Sequence, residues 1–370
     1  MSLAIETYRD VQTLGDGPAL LNLSWTLDER DWLSLDLNAL VADCLSMELD
    51  QDLAWTRRYL VKDPYGSDSL GNAVEHYFAT AGLAEQITCA AGVNGLLHAL
   101  AAMADENGVA MADAVYPDYA HWLQRRGIVV CALHDALPQR EEALSAFEGI
   151  VHLERPALFP AAWDDAQAVR ALCARMPRAT ILIDESNANY CAPAFSAAPL
   201  TREFDNLLVL RGLSKAYGMG SLRLGYCVSS AALTARVRRH VPALSASSLS
   251  LMIGREILTR GDISAPLRKR IAEAKAETRA LLAACGADTE LLPCGDALPY
   301  LLFSEPPSVL AETASVGAAP RILFKRHALW TVRGPREIHR CSVPLHTARM
   351  ARLRECLTAT DAGEASAKSG

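Results

Sequence analysis

Lys215 lies in the stretch LRGLSKAYGMGSLRLGY, residues 210–226, after an apolar run and before closely spaced glycines. A primary amine in a mostly apolar, glycine-lined setting can be held neutral and can form a Schiff base with a carbonyl. One Ser-Lys dipeptide would specify little. Eight residues on, however, Arg223 stands in a segment free of acidic partners, with Gly218, Gly220 and Gly225 around it. Glycine lets a backbone approach a ligand closely, and arginine can grip a phosphate with two parallel hydrogen bonds. In TCAAGVNGLLHALAAMA, residues 88–104, a strand end turns into a helix at Gly92, Val93 and Asn94. Free backbone N–H groups and the helix dipole make such a turn an anion cradle.

These residues need a scaffold that brings strand ends together. Apolar runs alternate with helical patterns through the middle of the chain: GVAMAD, GIVVCAL, GIVHLE, ATILIDE, NLLVLRG and RLGYCVS. Between two of them, DDAQAVRALCARMP opens on an Asp pair, ends at Pro and carries apolar residues at helical spacing. Strands separated by helices of this length imply parallel β-α-β units covered on both faces. After Val228 the pattern becomes mostly helical, with shorter strands later. The expected architecture is α/β, a large domain with a mostly parallel sheet plus a smaller α+β domain. Its boundaries are expected at 1–48 for a segment joining the small domain, 49–245 for the large domain, 246–360 for the small one and 361–370 for a frayed tail.

With 51% hydrophobic and 21% charged residues among 370, a sizeable core is available and wholesale disorder is excluded. The net charge of −7 argues against nucleic-acid and anionic-membrane partners. The ten cysteines include no C-x-x-C pair and lie mostly in apolar runs, so they are expected to be free, buried thiols in a reducing compartment rather than metal ligands. No window approaches a membrane span and the N-terminus lacks a signal-peptide pattern, so a cytoplasmic location is expected. His98, His152 and His346 are expected to pack or to be solvated.

The lysine stretch resembles the fold-type-I (aspartate aminotransferase-like) pyridoxal-phosphate enzymes of the class I/II aminotransferase family, and within it the histidinol-phosphate aminotransferase branch. The resemblance runs in motif order from about Tyr65 to Pro344. It implies that pyridoxal 5′-phosphate is the cofactor and that Lys215 carries it and then shuttles the substrate's α-proton. Arg223 and Ser214 then lie near the phosphate with Gly92, Val93 and Asn94. Asp184, ending ATILIDE, faces the pyridine nitrogen and keeps the ring an electron sink. Tyr119 in AVYPDYAHW stacks on the ring. Arg340 in IHRCSVPL binds the substrate α-carboxylate, with Arg333 and Arg336 as nearby competitors. Tyr65 in DPYGSDSLG reaches a neighbour's phosphate, which implies a homodimer with shared active sites.

Three positions depart from the family pattern. Arg155, in LERPALFPAAW, stands where an Asn bonds the cofactor's O3′. Asn187 replaces a Tyr directed at the same oxygen, and Gly212 replaces a phosphate-binding Ser or Thr. Arg155 is expected either to point at O3′ or to turn away, pairing with a carboxylate or holding the substrate. The activity implied is transamination of an L-amino acid through an external aldimine and a quinonoid. The alternatives are a non-transaminating reaction (cyclisation, oxidation, decarboxylation or elimination) and a non-catalytic binding protein of the same fold.

Overall fold

The alternating apolar runs assemble into one seven-stranded sheet. The computed structural model describes residues 16–17, 20–26, 28–50, 63–133, 145–288, 291–305 and 321–367. They fall into two units, a larger one of Leu33–Ala265 with Trp330–Arg333 and a smaller one of Met1–Trp32, Pro266–Leu329 and Gly334–Gly370. After β1 (Leu20–Asn22), which belongs to the smaller unit, come helices α1 (Leu37–Leu49) and α2 (Ser67–Phe78) of the larger one. The large sheet takes β2 (Ile87–Ala91), β3 (Val109–Met111), β4 (Val130–Ala132), β5 (Ile150–Glu154), β6 (Thr180–Asp184), β7 (Leu207–Gly212) and β8 (Leu224–Ser229).

Their spatial order is β2-β8-β7-β6-β5-β3-β4. Strands β4, β3, β5, β6 and β7 run parallel, while β8 is antiparallel to both β7 and β2. The parallel strands read as continuous apolar runs because both faces are covered: every residue of β3, β6 and β7 is buried. The connecting helices are α3 (Gly92–Ala101), α4 (Pro117–Arg125), α5 (Ala166–Arg175) and α6 (Ala231–His240). Asp165 caps α5 by accepting the Gln167 N–H at 3.0 Å, as its place before the helical pattern implies. The C-terminal ends of β5, β6 and β7 lie side by side, the edge where open α/β sheets bind ligands.

The boundaries differ from those expected. Helix α1 and helix α7 (Ser248–Thr259) belong to the larger unit. The reason is packing: α7 buries Leu251, Ile253, Ile257 and Leu258, lies against α2, and brings Gly254 close to Leu224. The smaller unit contains α8 (Ala265–Ala284) from Pro266 on and the antiparallel sheet β12-β13-β10-β9. Those strands are β9 (Leu291–Leu292), β10 (Tyr300–Phe303), β12 (Lys325–Leu329) and β13 (Arg336–Ser342), and β11 (Arg321–Leu323) pairs in parallel with β1. Helix α9 (Thr347–Ala367) continues past residue 361, where a frayed tail was expected. All ten cysteines are free.

Candidate active site

Lys215 follows β7 in a tight turn whose neighbours fix it. Leu213, Ala216 and Tyr217 are fully buried while Lys215 is exposed. The turn is closed by the Gly218 N–H on the Lys215 carbonyl at 2.8 Å and the Met219 N–H on the Leu213 carbonyl at 3.2 Å. An exposed amine on a buried turn is oriented by packing it does not itself need.

Asp184 ends β6 and is buried, with Oδ1 accepting the Ser186 N–H at 2.8 Å. Burial raises its pKa, and Ser186 and the charge of Lys215 pull it back down. Lys215 therefore acts electrostatically on a buried acceptor at the same strand edge. Beside Asp184 in the β5–β6 register stands Glu154. Its Oε1 accepts the Tyr116 N–H at 2.7 Å, tying the start of α4 to the end of β5. Burial, and then the neighbouring Asp184, push Glu154 up to about 7 against the pull of Tyr116 and Lys215. Glu154 also lines a cavity of about 120 Å³ with Asp113, Val115, Leu158, Phe159 and Trp163.

The turn expected to serve as an anion cradle opens helix α3. Helix α3 starts at Gly92, whose φ of +80° favours glycine, and the Arg223 guanidinium lies directly over it. A Cβ on Gly92 would meet Arg223 Nη2 at 2.5 Å. Arg223 is anchored by Nη1 on the Gly220 carbonyl at 3.2 Å and Nη2 on the Ala91 carbonyl at 3.4 Å. On the strand side, a Cβ on Gly225 would fall 2.5 Å from Val93 N, so only glycine lets β8 approach this turn. Gly212 is explained by the same crowding, since a Cβ there would meet Val93 Cγ2 at 2.9 Å. Val93 and Asn94 are half-buried in the first turn of α3, and Ser214 is half-buried beside Gly220. Cradle, exposed amine and buried carboxylate together fit a phosphorylated pyridine aldehyde.

The O3′ and stacking positions do not match the expectation. Arg155 turns away from the strand edge and is 1% exposed. Its Nη1 donates to Glu185 Oε1 at 2.9 Å and to the Phe195 carbonyl, Nη2 to the Asp164 carbonyl at 3.0 Å and Nε to the Trp163 carbonyl at 3.0 Å. Its guanidinium also stacks over the Phe195 ring at 3.9 Å. Arg155 is thus paired with a carboxylate, the second of its two expected fates, because consecutive residues at a strand end face opposite ways and Glu154 takes the site-facing position. Tyr119 has no exposed surface, so it does not offer a ring face to the solvent side of the site. It packs against buried His152, centroids 5.1 Å apart, and neither its hydroxyl nor either His152 nitrogen has a hydrogen-bond partner among the described residues. Burial holds His152 down to about 3, so it packs as a neutral ring, as expected. Asn187 is half-buried before a short 3₁₀ turn over Ala188–Tyr190.

Tyr65 donates its hydroxyl to the Arg238 carbonyl of its own chain at 3.0 Å, with the Arg238 guanidinium 5.1 Å from its ring. In the smaller unit, Arg340 on β13 donates through Nη2 to the Ser24 carbonyl at 3.0 Å and lies over Tyr300 at 4.6 Å. Sequence reasoning missed Glu154, Glu185 and Arg211. Glu185 is fully buried between Arg155 and Arg211, whose Nη1 lies 3.1 Å from Glu185 Oε2. Arg211 also donates to Asn189 at 2.7 Å, and Asn189 donates to the Gly212 carbonyl at 2.6 Å, three residues before Lys215. The adjacent acids Asp184 and Glu185 were the one available signal.

A histidinol-phosphate aminotransferase of Thiobacillus denitrificans is 34% identical over 152 residues, 38% of each chain. A threonine-phosphate decarboxylase of a Sinorhizobium species is 27% identical over 293 residues, 76% of this chain and 80% of that one. The chain spans less than half the length of the first curated relatives it matches, from 22% to 46% of four of them. The crystal structure of the histidinol-phosphate aminotransferase from Clostridium acetobutylicum superimposes with a TM-score of 0.68 at 12% identity, over 93% of this chain and all of that one. That likeness makes the fold the fold-type-I transferase fold. The profile of "Aminotransferase class I and II" matches residues 161–347, which hold Asp184, Lys215, Arg223 and Arg340. On that match the chain belongs to the class I and II aminotransferase family, whose cofactor is pyridoxal 5′-phosphate.

Proposed function

We propose that this protein is an enzyme acting on an L-amino acid, with transamination as its reaction. The observation that carries the proposal is the placement of the exposed Lys215 amine beside buried Asp184, with the Gly92–Arg223 cradle at the same sheet edge. When bound, the cofactor supplies an electron sink that acidifies the substrate's α-C–H bond. The chain's residues do the rest. Arg223, Ser214 and the N–H groups of the first turn of α3 hold the phosphate. Asp184 holds a proton at the ring nitrogen, its burial making that charge pair strong. Lys215, pinned by its buried neighbours, would take the α-proton and return it to the aldehyde-derived carbon on the far side of the substrate nitrogen. Arg340 is our candidate for the substrate carboxylate, and Tyr65 for the neighbour's phosphate in a cytoplasmic homodimer.

A second reading, decarboxylation or another reaction without amino exchange, is favoured by one observation. Arg155 is committed to Glu185, so the usual O3′ donor is not supplied from that position. The long alignment with a threonine-phosphate decarboxylase points the same way.

The test begins with borohydride reduction, which should fix a pyridoxyl group on Lys215, read by peptide mass spectrometry. A label elsewhere would end the reading. Lys215→Ala should lose turnover by several orders of magnitude, since both cofactor exchange and proton transfer fail. An amino-acid panel with and without α-keto acids and oxygen then separates transamination, which requires the keto acid, from the alternatives.

A further inference from the structure

The Glu154 carboxylate has no role in the reading above, yet three observations bring it to the site. The β5–β6 register sets its Cα opposite that of Asp184, so both side chains leave the same face at the same edge. Tyr116 holds one of its oxygens at 2.7 Å. Its other surroundings are a small, mostly apolar cavity walled by Val115, Leu158, Phe159 and Trp163. Two neighbouring carboxylates, one buried and one half-buried, do not both ionise readily.

The charged and titratable groups around Glu154 are few. Asp184 faces it from β6, and Lys215 acts on it from the turn after β7. Asp113, beyond β3, lines the same cavity, with its Oδ1 accepting the Val332 N–H at 3.2 Å. Asp118, in the first turn of α4, accepts the Tyr116 hydroxyl at 2.7 Å. His152 lies two residues back on the same face of β5 and is neutral. Arg155, next in the chain, points away to Glu185. Lys215 is thus the cation that bears on the pair.

We infer that Glu154 is a further positioning residue of this site. With Asp184 it forms a pair of neighbouring carboxylates at one strand edge, and its charge sets the proton affinity of Lys215. As pH rises, Glu154 loses its proton to solvent and becomes anionic, and the positive charge at the lysine is favoured. As pH falls, Glu154 is neutral and that support is withdrawn. This rests on the functional reading only for the identity of the cofactor, because Lys215 and the carboxylate pair belong to the chain itself.

The variant is Glu154→Gln, which keeps an oxygen to accept the Tyr116 N–H and removes only the titrating charge. In the holoenzyme, the pH midpoint between the two absorption bands of lysine-bound cofactor should fall by about one unit, a tenfold change. Glu154→Asp should restore at least half of that shift. In the cofactor-free chain, the pH midpoint for acylation of Lys215 by acetic anhydride, followed by peptide mass spectrometry, should move down in the same variant. Carboxyl carbon NMR of the wild-type chain should show one glutamate titrating near neutral pH and vanishing in Glu154→Gln. Unmoved midpoints beside a lowered melting temperature would reduce Glu154 to a tether for α4 and overturn the inference. So would a Glu154 resonance titrating below pH 5. If no cofactor binds at all, the functional reading fails, while the acylation and NMR measurements still judge Glu154.

Discussion

At the scale of single residues, the contact between Val93 and the Gly212 position shows how a lost hydroxyl is compensated. A serine at 212 would bring its Cβ to 2.9 Å from Val93 Cγ2, tighter than packed carbons tolerate. Gly212→Ser alone should therefore weaken cofactor binding although it adds a phosphate donor. Val93→Ala combined with Gly212→Ser should relieve the clash and bind the cofactor tighter than wild type, by up to about tenfold for one good charge-assisted hydrogen bond. Equilibrium titration of the cofactor-free forms reads both, and equal affinities for single and double variants would refute the interlock. Lys215, Arg223 and Gly92 were legible in sequence because each declares itself through immediate neighbours. The Val93–Gly212 contact was not, since its partners lie on different elements.

At the scale of elements, the buried set Arg155–Glu185–Arg211–Asn189 joins the ends of β5, β6 and β7 and stops at the Gly212 carbonyl before the lysine turn. Removing one partner of a buried ion pair leaves an uncompensated charge and costs about 3–5 kcal/mol. Arg155→Ala should lower unfolding free energy by that order in a denaturant titration, while leaving the pH midpoint of the bound cofactor's absorption unmoved. A moved midpoint with unchanged stability would return Arg155 to the cofactor. The strands and their parallel order could be anticipated from apolar runs and helix-length connections. The destination of Arg155 could not, because its carboxylate lies 30 residues away on a neighbouring strand and local spacing says nothing of which face a residue takes. The assignment of α1 and α7 to the larger unit was hidden for the same reason: apolar faces announce burial without naming what buries them.

For the whole molecule, buried His152 and half-buried Glu154 set opposing pH dependences. Glu154 titrates near 7 in the folded chain against an ordinary 4.5, so the folded state binds its proton more tightly and loses stability as pH rises from about 4.5 to 7. His152 is held near 3 against 6.5, so its contribution is fully present above about 6.5 and is lost as pH falls toward 3. Between about 4.5 and 6.5 the two slopes cancel. Thermal melts across pH should therefore show each substitution exposing the other group's slope. Glu154→Gln should gain stability over wild type above pH 7, of the order of 2 kcal/mol for a half-buried group. His152→Leu should lose the wild-type decline below about pH 4.5 and should instead gain stability as pH falls from about 7 to 4.5. Parallel curves for wild type and either variant would show that the substituted group does not titrate as described.

The end of β6 has a consequence for how this sequence can drift. Asp184 and Glu185 are successive acids with opposite addresses, one toward Lys215 and one between two buried guanidinium groups. A one-residue slip of register either sets Glu185 toward the site with Ser186 between the arginines, or sets Asp184 between the arginines with Ile183 toward the site. Either way one of the two places loses its carboxylate, and the other receives one of the wrong length. What this strand end stores is parity, whether a position is odd or even along the strand. A single-residue insertion or deletion there is consequently more damaging than the exchange of either acid for a neutral residue.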